Sequence, residues 1–353
     1  MDNIDPIQSK SDIKLDIQDD LLISQKMHEF RIKKLGIAIL AALAAATVAT
    51  STLGVFGIVS LALAKASVIA FISALVLGIL CKIDQHSPEP LKATSQLVQS
   101  VVFEILSMLT LAILFPLDLE RFDPQEKNHI AKDQVPVLLI HGIFGSSNNW
   151  VYHKRRLQEK GYKNIFTINL GHPFRSNTKF GEKIRAKVQE IHKLTSCPYL
   201  FIVAHSMGGN DALEFLYNHP VNEVKVPFII TLGSPLSGTV IAYVASWISY
   251  AARELLPNSA FITSLQAKLN ADTETKYHLI GSKVDLIIIP RKSAIEKGLC
   301  AHAETTLLEK TPHAGLLFSD TAADIVVNDI LKANEQVRLA FSQAPEASCA
   351  HQG

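Results

Sequence analysis

The sequence predicts an α/β domain built on a mostly parallel central sheet, preceded by an N-terminal transmembrane helical hairpin. Three observations carry this expectation. From about residue 134 onward, short apolar runs alternate with helix-like segments, the pattern of strands covered on both faces. Within that pattern, Tyr199-Leu200-Phe201-Ile202-Val203 runs directly into Ala204-His205-Ser206-Met207-Gly208-Gly209. Upstream, Leu35 to Cys81 is almost wholly apolar, with Lys65 its sole charge.

The 353 residues suffice for one large α/β domain and an appendage. A net charge of +1 and a pI of about 7.7 imply no strongly charged partner, and no nucleic-acid footprint is present. Composition is 48% hydrophobic and mean hydropathy is +0.20, high for a soluble protein, so membrane-embedded sequence is expected. Cys81, Cys197, Cys300 and Cys349 are scattered. They form no C-x-x-C, no metal pattern and no disulfide framework, and read as unpaired thiols in a reducing compartment.

Residues 1–34 form a polar tail, acidic early and ending in Arg31, Lys33 and Lys34. A cleavable signal peptide would begin with a short basic stretch, which this tail lacks. As one helix, residues 35–81 would run ~70 Å against ~30 Å of hydrocarbon. Two spans, roughly 35–54 and 58–81 with a turn near Gly54–Gly57, fit better. Ala38, Ala41, Ala42, Ala44, Ala45 and Ala46 would let the helices approach closely, and Lys65 would snorkel or face the partner helix. A buried soluble hairpin is the other reading. The basic flanks, Arg31–Lys34 and Lys82, fall on one side, which the positive-inside rule makes cytoplasmic.

Residues 82–125 read as a linker and an amphipathic helix. Val98 to Leu117 is apolar, but Ser100, Glu104 and Ser107 recur at helical spacing. That stripe predicts a helix in the membrane interface or packed on the domain, not a third span. The remaining elements fall in a catalytic domain over 126–338, followed by a flexible tail, 339–353. Val137–Ile140, Ile165–Ile168, Tyr199–Val203, Val226–Leu232 and Lys276–Ile280 are predicted strands. Leu157–Tyr162 ends a helix. Ile184, Val188, Ile191 and Leu194 mark one helix face, Asp211–Tyr217 lies in another helix, and Ala322–Ala333 closes the domain.

The serine stretch has the form of a nucleophile elbow. The turn is so tight that only small residues fit two positions to either side of the serine; here they are Ala204 and Gly208. Serine alone is a weak nucleophile and needs a histidine base, itself oriented by an acid. Gly281-Ser282-Lys283-Val284-Asp285 puts a carboxylate in the loop after a predicted strand. Asp272 and Asp320, the latter resembling a helix N-cap, are the rivals. Thr311-Pro312-His313-Ala314-Gly315 puts a histidine in a short loop before the closing helix, with His302 as local competitor. His205 adjoins the serine but is expected to point away, in a supporting role. An oxyanion needs preorganised N–H donors. The N–H of Met207, just after the serine, and that of Ile143, in the loop His141-Gly142-Ile143-Phe144-Gly145-Ser146, are the expected pair.

Together, Val137–Gly145, Val203–Gly209, Thr231–Gly238, Gly281–Pro290 and His313–Ser319 resemble the corresponding segments of α/β-hydrolase lipases. The Ala204 variant of the elbow and His313-Ala314-Gly315-Leu316-Leu317 are similar to the small bacterial triacylglycerol lipases with an A-x-S-x-G elbow, as is the turn Pro257-Asn258-Ser259-Ala260-Phe261. The likeness spans about residues 134–335 and omits 1–125. It implies the α/β-hydrolase fold, Ser206 as nucleophile, Asp285 and His313 as its partners, and Ile143 and Met207 as oxyanion donors. It implies no metal and no organic cofactor.

The smallest such lipases lack an insert like 236–275. Within it, Val240 to Leu256 has few polar positions, as a lid, an acyl-pocket wall or a bilayer-facing patch would; an extra core helix is the plainer reading. The expected function is a membrane-anchored lipase or esterase acting on a lipid carboxylic ester through an acyl-enzyme, in lipid metabolism. A thioesterase or acyltransferase would use the same triad. A non-catalytic membrane interaction protein is the alternative of another class. A polar head followed by a two-lobed apolar segment also resembles secreted bacterial effectors, including chlamydial inclusion-membrane proteins, so the destination is a bacterial inner membrane or a host membrane. Acyl length, head group and oligomeric state stay open.

Overall fold

A computed structural model describes residues 95–114, 130–171, 175–246, 249–295 and 302–343. The expected tail 1–34, the hairpin 35–81 and the stretch 82–94 lie outside these residues. Among the described residues, no helix is long and apolar enough to cross a membrane.

Among the described residues, six strands form one wholly parallel sheet in the order β2-β1-β3-β4-β5-β6. They are β1 (Val137–Ile140), β2 (Ile165–Ile168), β3 (Tyr199–His205), β4 (Lys225–Leu232), β5 (Lys276–Ser282) and β6 (Glu304–Leu308). The central strands read as unbroken apolar runs because both faces are buried. Alternate residues feed two separate cores. Leu138, Ile140, Ile202, Ala204 and Ile229 join one cluster; Val137, Leu139, Phe201, Val203 and Ile230 join the other. Each fully buried Val, Leu or Ile contributes roughly 1.5–3 kcal/mol relative to exposure, so register is strongly fixed.

The first core is closed by α3 (Asn177–Thr195), α4 (Met207–Asn218) and α7 (Ala260–Ala271). The second is closed by α2 (Val151–Glu159) and α8 (Asp320–Gln343), through Leu157, Val326, Val327 and Ile330. In α3, Ile184, Val188 and Ile191 face inward at the expected helical spacing. Ser319 caps α8, accepting from the Ala322 N–H at 3.3 Å. Asp320 is therefore the first residue of the helix and not its cap; its carboxylate accepts from Tyr152 and Arg156 instead.

The stretch expected as one helix over 240–256 contains two short ones, α5 (Ala242–Ala245) and α6 (Tyr250–Glu254). Ser249 ends the continuity, because its side chain caps α6 by accepting from the Ala252 N–H at 3.3 Å. Ala251, Ala252 and Leu255 are buried, whereas Tyr243 and Tyr250 are exposed. The insert is tied down at two points. Thr239 Oγ1 donates to the Ile287 carbonyl at 2.8 Å, and Glu254 accepts from the Asn177 backbone and side chain. Strand β6 was not expected from the sequence: Glu-Thr-Thr-Leu-Leu at the sheet edge lacks the apolar run that marks the inner strands.

Helix α1 (Ser95–Leu114) precedes the sheet and packs on the same compact unit, residues 93–353. Its stripe of Ser100, Glu104 and Ser107 is buried, and Val102 and Leu106 are exposed.

Candidate active site

Ser206 sits between β3 and α4 with φ 56° and ψ −135°, a strained conformation for a residue with a side chain. Such strain costs of order 1–3 kcal/mol and persists only where the surroundings over-determine it. Here the Ser206 N–H donates to the Leu232 carbonyl at 2.9 Å. The small neighbours are required by close packing. A Cβ on Gly208 would lie 2.5 Å from the His141 carbonyl oxygen and 2.7 Å from that of Ile140. These are backbone atoms that cannot swing aside. Gly208→Ala is therefore expected to destabilise the fold by about 1–3 kcal/mol, seen as a lowered Tm in thermal denaturation, and to slow any reaction at Ser206.

His313 reaches Ser206 from the loop after β6. Its Nε2 lies 3.0 Å from Ser206 Oγ, and its Nδ1 lies 2.8 Å from Asp285 Oδ2. With the carboxylate as acceptor, Nδ1 carries the proton and Nε2 is free to accept from the serine hydroxyl. The other oxygen of Asp285 accepts from the Ile287 and Ile288 N–H groups, each at 2.8 Å, which fixes the carboxylate's orientation. Gly233, at φ +58°, passes beneath this pair; a Cβ there would lie 3.2 Å from His313 Nδ1 and 2.9 Å from Leu316 Cδ1. Ser206, Asp285 and His313 are all buried.

Burial pulls the His313 imidazole towards lower pKa, but the charge and hydrogen bond of Asp285, with the charge of Glu104, outweigh it and hold the group above its ordinary value. His205 behaves oppositely. Burial, reinforced by the His313 charge, drives it well below the usual histidine range. It does not point away from the site as expected. Its ring centroid lies 4.8 Å from that of His313, and its Nε2 donates to the His313 carbonyl at 3.1 Å.

The loop after β1 approaches the serine from the other side. A Cβ on Gly142 would fall 2.6 Å from Ser206 Cβ, so the backbone leading to Ile143 runs beside the hydroxyl. His141 holds this loop: its Nε2 accepts from the Leu170 N–H at 2.9 Å. Met207 opens α4, and the first N–H groups of a helix have no intrahelical acceptor.

The rival residues are engaged elsewhere. Asp272 accepts from Tyr217 and Tyr277 at 3.1 and 2.5 Å, and His302 is exposed. Among the described residues, no group of three or more His, Cys, Asp or Glu is arranged to hold a metal ion. One residue near the site was missed. Glu104 Oε2 accepts from the Ala314 N–H at 2.8 Å and the Gly315 N–H at 3.3 Å, just after His313. The helical stripe signalled its burial, but not its partners.

A family model described as alpha/beta hydrolase fold matches residues 135–260. The matched segment contains Ile143, Ser206 and Met207 and ends before Asp285 and His313. Among solved structures, the chain is similar to a mature lipase of Bacillus licheniformis, at 19% identity over 59% of this chain and 94% of that one, with a TM-score of 0.45. It is similar to Aspergillus fumigatus lipase B at 16% identity, over 58% of this chain and 55% of that one, with a TM-score of 0.48. A bromoperoxidase of Bacillus anthracis is 14% identical over 59% of this chain and 93% of that one, with a TM-score of 0.42.

Proposed function

We infer that this chain, a member of the α/β-hydrolase superfamily, is a serine hydrolase that cleaves lipid carboxylic esters through an acyl-enzyme. The observation that carries the reading is the hydrogen-bonded series Ser206–His313–Asp285, at 3.0 and 2.8 Å, on a strained turn.

In this mechanism His313 Nε2 takes the hydroxyl proton as Ser206 Oγ attacks the ester carbonyl carbon. The negative charge that develops on the carbonyl oxygen is met by the N–H groups of Met207 and Ile143. Asp285 stays ionised and holds the imidazolium through Nδ1–H. Collapse of the tetrahedral species breaks the bond to the alcohol, which receives the proton from Nε2. A water then gives its proton to Nε2 and attacks the acyl carbon; Oγ departs, takes that proton back, and the carboxylic acid is released. Nothing in this cycle needs a metal or organic cofactor.

Two features support a lipid as substrate. The insert exposes two aromatic side chains, Tyr243 on α5 and Tyr250 on α6, and the run Leu35–Cys81 has the composition of a two-span anchor. On this reading the anchor holds the enzyme at a bilayer, with Arg31–Lys34 and Lys82 on the cytoplasmic side. Purified full-length chain is expected to hydrolyse long-chain 4-nitrophenyl esters with higher kcat/KM than the acetate. Faster turnover of matched thioesters, or acyl transfer to an added alcohol, would make it a thioesterase or acyltransferase. No turnover of any ester would leave a non-catalytic membrane interaction protein.

A further inference from the structure

We propose that Glu104, carried by the helix upstream of the sheet, is a positioning residue for His313: it anchors the turn that follows the histidine and sets a buried carboxylate between the loops that bear the acid and the base. The proposal builds on the reading of His313 as the base acting on Ser206.

The geometry is specific. His313 is followed by a 3-10 turn, Ala314–Leu317, whose first N–H groups lack carbonyl partners within the turn. Glu104 Oε2 accepts two of them, from Ala314 and Gly315, across a sequence separation of 210 residues for the first. Other contacts bring α1 against the same loop. Ser100 Oγ donates to the Lys310 carbonyl at 3.1 Å, and Phe103 packs so tightly on Gly315 that a Cβ there would lie 3.0 Å from its Cε1. Ser100, Val101 and Glu104 share a small cleft with Val284 and Leu286, which flank Asp285, and with Pro312. Glu104 thus lies between the loop of the acid and the loop of the base.

Hydrogen bonding alone does not call for a carboxylate. Two backbone N–H groups can also be satisfied by a neutral amide or hydroxyl oxygen, whereas burying a carboxylate costs several kcal/mol unless a compensating charge is near. The compensating charge here is the imidazolium that His313 becomes when it takes a second proton. Burial raises the Glu104 carboxyl, the His313 charge lowers it, Asp285 raises it, and the two N–H groups lower it, leaving it at about 7. Glu104 and His313 therefore each favour the charged form of the other. The groups facing His313 are Asp285, Glu104, Ser206 and the His205 ring. His205 is held neutral by burial, as is His153, which is lowered to about 4 and contacts the Leu316 carbonyl at 3.0 Å. Of the charges that favour a protonated His313, Asp285 comes from the loop after β5 and Glu104 from α1.

The test compares Glu104→Gln, which keeps an acceptor and removes the charge, with Glu104→Ala, which removes both. Full-length chain in detergent is followed by ester hydrolysis against pH, and by NMR titration of [13Cε1]-histidine-labelled protein with His313 assigned through His313→Asn. Glu104→Gln is expected to lower the His313 pKa and the acid limb of kcat/KM by about half a unit or more, with plateau kcat down about tenfold and KM within about twofold. Glu104→Ala is expected to lose more kcat than Glu104→Gln. A wild-type His313 titration and wild-type acid limb in Glu104→Gln would overturn the proposal, even if Glu104→Ala fails to fold. If the wild-type chain hydrolyses no ester, the enzymatic reading falls, and the NMR titration by itself decides whether Glu104 acts on His313.

Discussion

Ser206→Ala is expected to abolish ester hydrolysis, with a loss on the order of 10³-fold or more in kcat, and to abolish labelling by a fluorophosphonate probe. The loss follows from the nature of the step: without Oγ no acyl-enzyme forms, and only the oxyanion donors and substrate binding remain to assist water. The same change keeps the Cβ, and with it the backbone strain, and removes only a hydroxyl without opening a large cavity, so Tm should change little. Equal labelling of wild type and variant would show that the probe reacts elsewhere and would sink the assignment. A lost signal with a collapsed Tm would instead point to misfolding, which is why the two measurements belong together.

Asp285→Asn carries the second largest expected effect, on the order of 10⁴-fold in kcat if Asp285 acts as the acid of a serine triad. An amide can donate to Nδ1, which favours the tautomer with the proton on Nε2, where it cannot accept from Ser206. The pH profile adds an independent check. The reaction needs neutral His313, whose pKa is held above the ordinary histidine value, chiefly against burial, by Asp285. In wild type, kcat/KM should therefore rise with pH through a midpoint above about 6.5. Removing the Asp285 charge leaves burial less opposed, so the residual activity should have its midpoint at lower pH. An unmoved midpoint would show that another group governs the limb. Glu104 is the first candidate, since it faces the same imidazole.

Much of the site was legible in the chain because its signals are local. The apolar run Tyr199–Val203 demands a buried strand, and small residues at Ala204 and Gly208 have no purpose at a surface turn; Gly208 is in fact closed in by the carbonyls of Ile140 and His141. Asp285 and His313 were readable from their places after β5 and before α8. What failed was of another kind. The run Val240–Leu256 looks like one helix by composition, yet Ser249 starts a new helix by capping it. His205 was expected to turn aside, but adjacent residues at a strained strand end do not follow simple alternation, and its ring packs on His313.

The sequence by itself pointed to the parallel sheet, the elbow, and Ser206, Asp285 and His313, which the structure brings into hydrogen-bond contact, because strand periodicity and steric limits on a tight turn act between near neighbours. Only the tertiary structure decided how those side chains meet and what stands behind them. The buried stripe of α1 announced a packed helix but named no partner. That Glu104 meets the Ala314 and Gly315 N–H groups, 210 residues from Ala314 in the chain, is settled by the packing of one helix against one turn, a contact without any local sequence mark.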